Sequence, residues 1–411
     1  MQHASAARSL GCASSLSGHV DPVMAAEQVC EDVAQVLQEG PPDLCVLFVS
    51  GDHVRKMGVI SETIRSMLEP GLLVGVSGEG VIGESSVIDR NTGVSLFAAH
   101  LPGTTLHPFT YQQLPHAEDA NPGSLAAMAE ALHAGPDLRG VLFFADPFSV
   151  PAASAVAAMS AIPPVVEGMR DCPIIGGMAS ASIAPGNNLL VLGDEVLRSG
   201  GVGVSIRGNV ALDTIVSQGC RPIGQPLVVT AGRHNVLREL GGKRALDAVR
   251  ETVESLPEEE RRLVTNGVFI GRVVNEYKDR FGRGDFLIRG LMGVDTESGV
   301  VMVGDSIRVG QTVQLHVSDA QTAAEDLELL LAAQQLRHPA SGGLLFTCND
   351  RIKHDDAQIV RNALGTSERP LPLAGFFAAG EIGPIGDRSY IHGHTACLTL
   401  LRQHRPRVEE D

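Results

Sequence analysis

Short apolar runs bounded by glycine punctuate the chain, and their lengths fit buried strands rather than helices. Residues 44–49 (LCVLFV), 72–76 (LLVGV) and 93–99 (GVSLFAA) form a first set. Asp21-Pro22 is an N-cap and first-turn pair. It precedes Met24, Ala26, Val29, Cys30, Val33, Val36 and Leu37 at helical spacing, and Gly40-Pro41-Pro42 ends that helix. Ser50-Gly51-Asp52 turns into a second helix to about residue 68. A similar set occurs at 140–146, 173–182 and 200–206, with helical material broken at Pro163-Pro164. A third set lies at 344–346, 373–386 and 396–401. The spacing from first strand to glycine is similar in each, Leu44 to Gly75, Val141 to Gly176 and Leu344 to Gly375, which predicts one supersecondary unit used three times.

Between the second and third sets the pattern changes. Residues 207–230 read as irregular and strand-like, and 235–256 as a helix interrupted at Gly241-Gly242. The PEEERR run at 257–262 reads as a solvated helix end or loop. Strands are predicted at 269–274, 286–291, 300–303 and 312–317, and a helix capped by Asp319 to about residue 335. The fold class is α/β, with mixed sheets flanked by helices and internally repeated units. Mixed sheets are expected because 72–76 and 94–99 are too close for a helical crossover. The expected division is a flexible lead-in at 1–20, one domain at 21–230, a second at 231–401 and a charged tail at 402–411.

Composition narrows the function. At 411 residues the chain exceeds one ordinary core, so two domains are the default. There is no tryptophan, so the cores rest on Val, Leu, Ile and Ala. A net charge of −16 argues against nucleic acid, which needs clustered Lys and Arg, and against an anionic membrane surface. Seven scattered cysteines without a CxxC pair predict neither disulfides nor a thiolate zinc site, but reduced buried thiols in a cytoplasmic protein. No apolar run reaches the length of a membrane helix, and no secretory signal is recognisable.

The candidate chemistry gathers at predicted strand ends, where ligands bind in open α/β sheets. Gly78-Glu79-Gly80-Val81-Ile82-Gly83 satisfies GxGxxG after a strand, but the residues from Glu84 onward read as strand and turn rather than the helix a dinucleotide needs. Cys348, Asn349 and Arg351 end the strand at 344–346. A cation beside Cys348 would favour thiolate, yet a single cysteine is more often a small buried hydrophobe. His392 and His394 share one side of a strand and would suit a metal with Glu381 or Asp387, but the acids lack a diagnostic spacing, so no metal or cofactor is assigned. Glu79 and Glu381 read as equivalent residues beside glycine, either as turn caps or as an acid and base. In a third reading Glu381 takes the ammonium of an amino-acid-like ligand and Arg351 its carboxylate. Gly78, Glu79, Cys348, Asn349, Arg351, Gly380, Glu381 and His392 are the expected ligand-binding residues. No catalytic residue is assigned.

The motifs LLVGVSGEGVIGE (72–84), ELGGKRALDAV (239–249), LLFTCNDR (344–351), LAGFFAAGEIGPIG (373–386) and HGHT (392–395) resemble, in order, those of the FIST family, a two-part sensory module of signal-transduction proteins. The likeness spans about residues 20 to 401. It departs at Asp350, where the family more often has glycine, and at His394, where an aromatic is commoner. The resemblance implies FIST N and FIST C parts and binding of amino acids or related metabolites, coupled to signalling. No kinase, cyclase, methyl-accepting or F-box segment is recognisable, so output is expected through an unidentified signalling protein or an oligomer of the chain itself. Two other readings stay open: a Cys- or metal-dependent hydrolase or transferase using Cys348, His392 and Glu381, and a protein-interaction scaffold.

Overall fold

Three six-stranded sheets share one strand order, and that order carries the site. A computed structural model describes residues 9–38, 40–83, 86–115, 121–278, 280–351, 354–366 and 368–404. The chain divides into two compact units. The first takes in the described residues of Met1–Val216, Glu328–Ile391 and Ala396–Asp411, and the second takes in those of Ser217–Leu327 and His392–Thr395.

In the first sheet, strand Leu44–Ser50 pairs parallel with Leu72–Gly78 and antiparallel with Gly93–His100. In the second, Leu138–Ala145 pairs parallel with Ile174–Met178 and antiparallel with Gly201–Gly208. In the third, Gly342–Cys348 pairs parallel with Leu373–Ala378 and antiparallel with Thr395–Gln403. A further strand flanks each antiparallel edge: Gly11–Ser17, Thr104–Thr110 and Val210–Gln218 respectively. A hairpin completes the opposite side of each sheet, and it always comes from another third of the chain. Leu190–Leu192 and Glu195–Leu197 complete the first sheet, Glu381–Ile385 and Arg388–His392 the second, and Val81–Ile82 and Val87–Ile88 the third. The sheets are mixed, as expected, although 72–78 and 93–100 are not neighbours. Both flank 44–50, with the helices Pro22–Leu37 and Met57–Leu68 on its outer face.

The first strands are buried on both sides, which is why they read as unbroken apolar runs. Cys45, Leu47 and Val49 face the helices, while Val46 and Phe48 face inward. Phe48, Phe144 and Phe346 occupy the same register in their three sheets, and all three are fully buried. Their rings meet edge to face at 5.9 Å, 6.2 Å and 5.7 Å, and Phe376 stacks on Phe48 at 5.5 Å. One register position earlier in each parallel pair, Gly75, Gly176 and Gly375 lie opposite Leu47, Phe143 and Leu345. A Cβ there would come within 2.8, 2.0 and 1.8 Å of the partner's carbonyl oxygen, so only glycine fits.

The second unit is an antiparallel sheet in the order Lys243–Arg244, Cys220–Leu240, Val300–Ile307, Phe286–Asp295, Val268–Val273 and Thr312–Ser318. The long strand Cys220–Leu240 also pairs with Thr312–Ser318, so the sheet closes on itself. The helix Ala245–Ser255 packs with its core.

Two expectations fail. The lead-in is not unpacked: Gly11–Ser17 is a strand paired to Gly93–His100 along its whole length. Its small residues carry little strand propensity, and the neighbouring strand decides their state. The helix expected at 235–256 begins at Ala245. Gly241 and Gly242, with φ of 58° and 79°, form the two-residue turn of a hairpin pairing Leu240 with Lys243. Two consecutive left-handed residues are the geometry such a turn requires. No helix among the described residues is long and apolar enough to cross a membrane.

Candidate functional site

Strand Gly342–Cys348 is buried throughout and runs straight into a turn at Asn349–Arg351. Glycines at its start and a run of Leu and Phe let the strand lie between layers, so its C-terminal polar residues are delivered to the interior. Arg351 is 1% exposed. Its Nε and Nη2 donate to the two oxygens of Asp356, at 2.9 and 2.6 Å. Asp356, also buried, opens the helix Asp356–Leu364 and accepts a third bond from Thr347 Oγ1 at 2.9 Å. Burial opposes charge on Arg351, but Asp356, Glu381 and Cys348 outweigh it, and the guanidinium is held above its ordinary value. The paired fork is the strongest form of carboxylate recognition, and here an internal residue occupies it.

Glu381 is fully buried, with the Arg351 charge near it. Its place comes from the register. Gly177 is paired with Glu381, Val76 with Leu190, and Phe376 with Val81, and these three partners occupy one equivalent row. Two sheets therefore fill that inward position with Leu190 and Val81, both in the central core, and the third fills it with a carboxylate. The same register makes Val81, not Glu79, the counterpart of Glu381. The expectation that the two glutamates are equivalent is thus corrected, because each strand's pairing, rather than the neighbouring glycines, sets the correspondence. Glu79 is half-buried and pairs with Arg90 Nε at 2.7 Å.

The loops after the three second strands are tied together. Ser180 Oγ donates to the carbonyl of Phe377 and accepts the N–H of Glu79 at 2.9 Å. The N–H of Phe377 donates to Gly80 O at 3.1 Å, and that of Met178 to Gly380 O at 2.9 Å. Gly78 and Gly80 serve this approach: a Cβ on either would lie 2.9 Å from the ring of Phe376 or Phe377. Val81–Ile82 and Val87–Ile88 pair as a hairpin, so the glycine-rich run opens no helix. Glu84 lies outside the described residues.

Within the first unit the fold thus brings together Cys348, Arg351 and Glu381, and separately ties Gly78 and Glu79 to the loop of Gly380. Asn349 is half-buried beside Cys348. His392 is buried and is counted with the second unit, as is His394, whose ring lies 4.0 Å from that of Phe269. All seven cysteines are buried. Burial pushes the thiols of Cys12, Cys30 and Cys172 up to about 12.

Sequence reasoning missed Asp356 and Ser180. Asp356 left a trace, as an acid five residues beyond Arg351 at a helix start. Nothing in the sequence marks Ser180 among its neighbouring small residues.

A family model described as "FIST N domain" matches residues 43–243, and one described as "FIST C domain" matches 245–384. An uncharacterized protein of Mycobacterium tuberculosis (strain ATCC 25618 / H37Rv) is 34% identical over 386 residues, 92% of this chain and 96% of the relative. An uncharacterized protein of Mycobacterium bovis (strain ATCC BAA-935 / AF2122/97) is 35% identical over 390 residues, 93% and 96% respectively. A solved cyanuric acid hydrolase from A. caulinodans aligns over 97% of this chain and 100% of its own at 10% identity, with a TM-score of 0.32.

Proposed function

The chain belongs to the FIST family, whose domains are associated with sensory signal transduction, and on that premise we propose that it senses a small ligand carrying an amino group, an amino acid or a related metabolite. One observation carries this reading. A single buried guanidinium, Arg351, is shared by two carboxylates, Asp356 and Glu381. Its fork is committed to Asp356, so Glu381 brings a second buried carboxylate to the same site, an arrangement that suits a cationic ligand. An ammonium group is such a cation. The replacement of a core Leu or Val by Glu381 is difficult to account for by packing alone, since burying a carboxylate costs stability.

In this proposal Glu381 receives the ammonium, Cys348 and Asn349 form the adjoining wall, and Arg351 fixes the electrostatics rather than receiving a ligand carboxylate. Gly78, Glu79 and Gly380 shape the tied loops behind it. The output passes to a signalling partner in the cytoplasm, and the FIST N and FIST C parts act as the two domains. A thermal-shift screen over amino acids and simple amines tests the reading. Binding to the folded state alone stabilises by about 2.7 kcal/mol at a hundredfold excess over Kd. The expected result is a saturable rise for wild type that is lost in Glu381→Gln. A screen in which no amino compound moves the midpoint, or in which Glu381→Gln responds like wild type, refutes it.

A further inference from the structure

A polar recess opens at the C-terminal end of the first sheet. It is a cavity of about 470 Å³ lined by Gly51, Asp52, Arg55, Ser182, Asn187 and Arg198, with Val54, Ala181 and Leu189 beneath. Its position matches that of the Arg351 cluster in the third sheet: Ser50 and Cys348 each stand two residues beyond the central phenylalanine of their sheet. From this recess we infer a binding site for a small dianion, a phosphate or a short dicarboxylate, distinct from the ammonium site proposed at Glu381 and independent of it.

Charge is the first argument. Two guanidinium groups and one carboxylate line the cavity, a local excess of positive charge on a chain whose net charge is −16. Neither Arg55 nor Arg198 makes an ion pair among the described residues. Arg198 donates only a long bond, at 3.4 Å, to Gly186 O. Two guanidinium groups lining a single recess present planar forks to oxyanions.

Rigid walls are the second. On one side Gly51 takes φ +63°, and a Cβ there would lie 2.6 Å from the backbone of Thr92. Ser50 Oγ donates to Asn91 O at 2.7 Å, and the Asp52 N–H to Thr92 Oγ1 at 3.2 Å. On the other side the wall hangs from Asn188, which is fully buried. Its Oδ1 accepts the Ser182 N–H at 2.9 Å, and its Nδ2 donates to Asp146 Oδ1 and to Ser182 O, both at 3.2 Å. The Leu189 N–H donates to the buried Ser77 Oγ at 2.8 Å. Ser182 Oγ accepts the Ala184 N–H, so its own proton remains available to a ligand oxygen. Buried polar groups spent on holding a solvent-lined recess open give a preorganised receptor, in which less ordering cost is met on binding. The volume lies within the range of small-molecule sites.

Calorimetric titration of the full chain with inorganic phosphate and, separately, with succinate tests the inference. Wild type is expected to bind at least one saturably, more weakly as sodium chloride is raised. Phosphate alone, or succinate alone, identifies the source of the oxyanion. Arg55→Gln and Arg198→Gln should each weaken binding about tenfold or more, and the double variant should abolish it. Asp52→Asn should tighten it, because it removes a like charge, an effect a merely structural role would not produce. Both arginines are exposed and make no ion pair among the described residues, so the variants should keep the circular dichroism of wild type. No saturable heat with either probe in wild type, or unchanged affinity in the double variant, overturns the proposal.

Discussion

Removing Arg351 should cost more than removing either acid that faces it. Arg351→Met, Asp356→Asn and Glu381→Gln each alter one member of the buried cluster at nearly constant volume. Breaking a buried pair by deleting one partner typically costs about 3–5 kcal/mol, because the remaining charge loses its compensation. Arg351→Met withdraws the shared cation from two carboxylates and is expected at the top of that range. Asp356→Asn loses two charge-assisted bonds from Arg351 and the full acceptor of Thr347, but leaves Arg351 beside Glu381, so about 3 kcal/mol is expected. Glu381→Gln leaves the Arg351–Asp356 fork intact and should cost least. The readout is hydrogen exchange of strand Gly342–Cys348 by mass spectrometry, which isolates the local opening where a whole-chain melt would mix two units. A loss of about 3 kcal/mol corresponds to exchange faster by roughly a hundredfold or more. The double variant Arg351→Met/Asp356→Leu should recover part of the loss, giving a coupling energy of about 1–3 kcal/mol. Three single variants each within about 1 kcal/mol of wild type, or an additive double, would refute the argument that this cluster is held by its central cation.

Other expectations rest on particular residues. His316 is fully buried against Phe286, and burial lowers its imidazole from the ordinary 6.5 to about 4. The folded form resists the proton, so its contribution to stability is present above pH 6.5 and is lost as pH falls through 4. About 3 kcal/mol should disappear from the second unit over that window, and the denaturation slope there should flatten in His316→Phe. Phe346→Ala empties the meeting point of three sheets and should destabilise by about 3–5 kcal/mol in urea. Gly375→Ala should abolish soluble expression, since its Cβ meets Leu345 O at 1.8 Å. Gly290→Ala, with open space at the same atom, should stay within about 1 kcal/mol of wild type. Native protein should resist an exchange-type thiol reagent at Cys12 and Cys172 near neutral pH and react only on unfolding, because a thiol at about 12 holds almost no thiolate.

What the sequence determined by itself is local and periodic. Unbroken runs such as LCVLFV announced strands buried on both faces, because an interior strand needs apolar residues at every position. The spacing from Leu44 to Gly75, Val141 to Gly176 and Leu344 to Gly375 located three glycines in one register, because close backbone approach leaves no alternative residue. Gly241-Gly242 was visible as a break but not as a hairpin, since a turn's meaning depends on what pairs on either side. Only the tertiary structure decided which strands meet. The hairpins cross to a sheet built by another third of the chain, and that exchange sets Leu190, fourteen residues past Gly176, in one row with Val81 and Glu381, which lie six residues past Gly75 and Gly375. It also converted Arg351 from an apparent ligand receptor into the partner of Asp356. Periodicity encodes which face of an element is buried; long-range pairing and the charges it encloses arise from the summed free energy of contacts far apart in sequence, which no local pattern records.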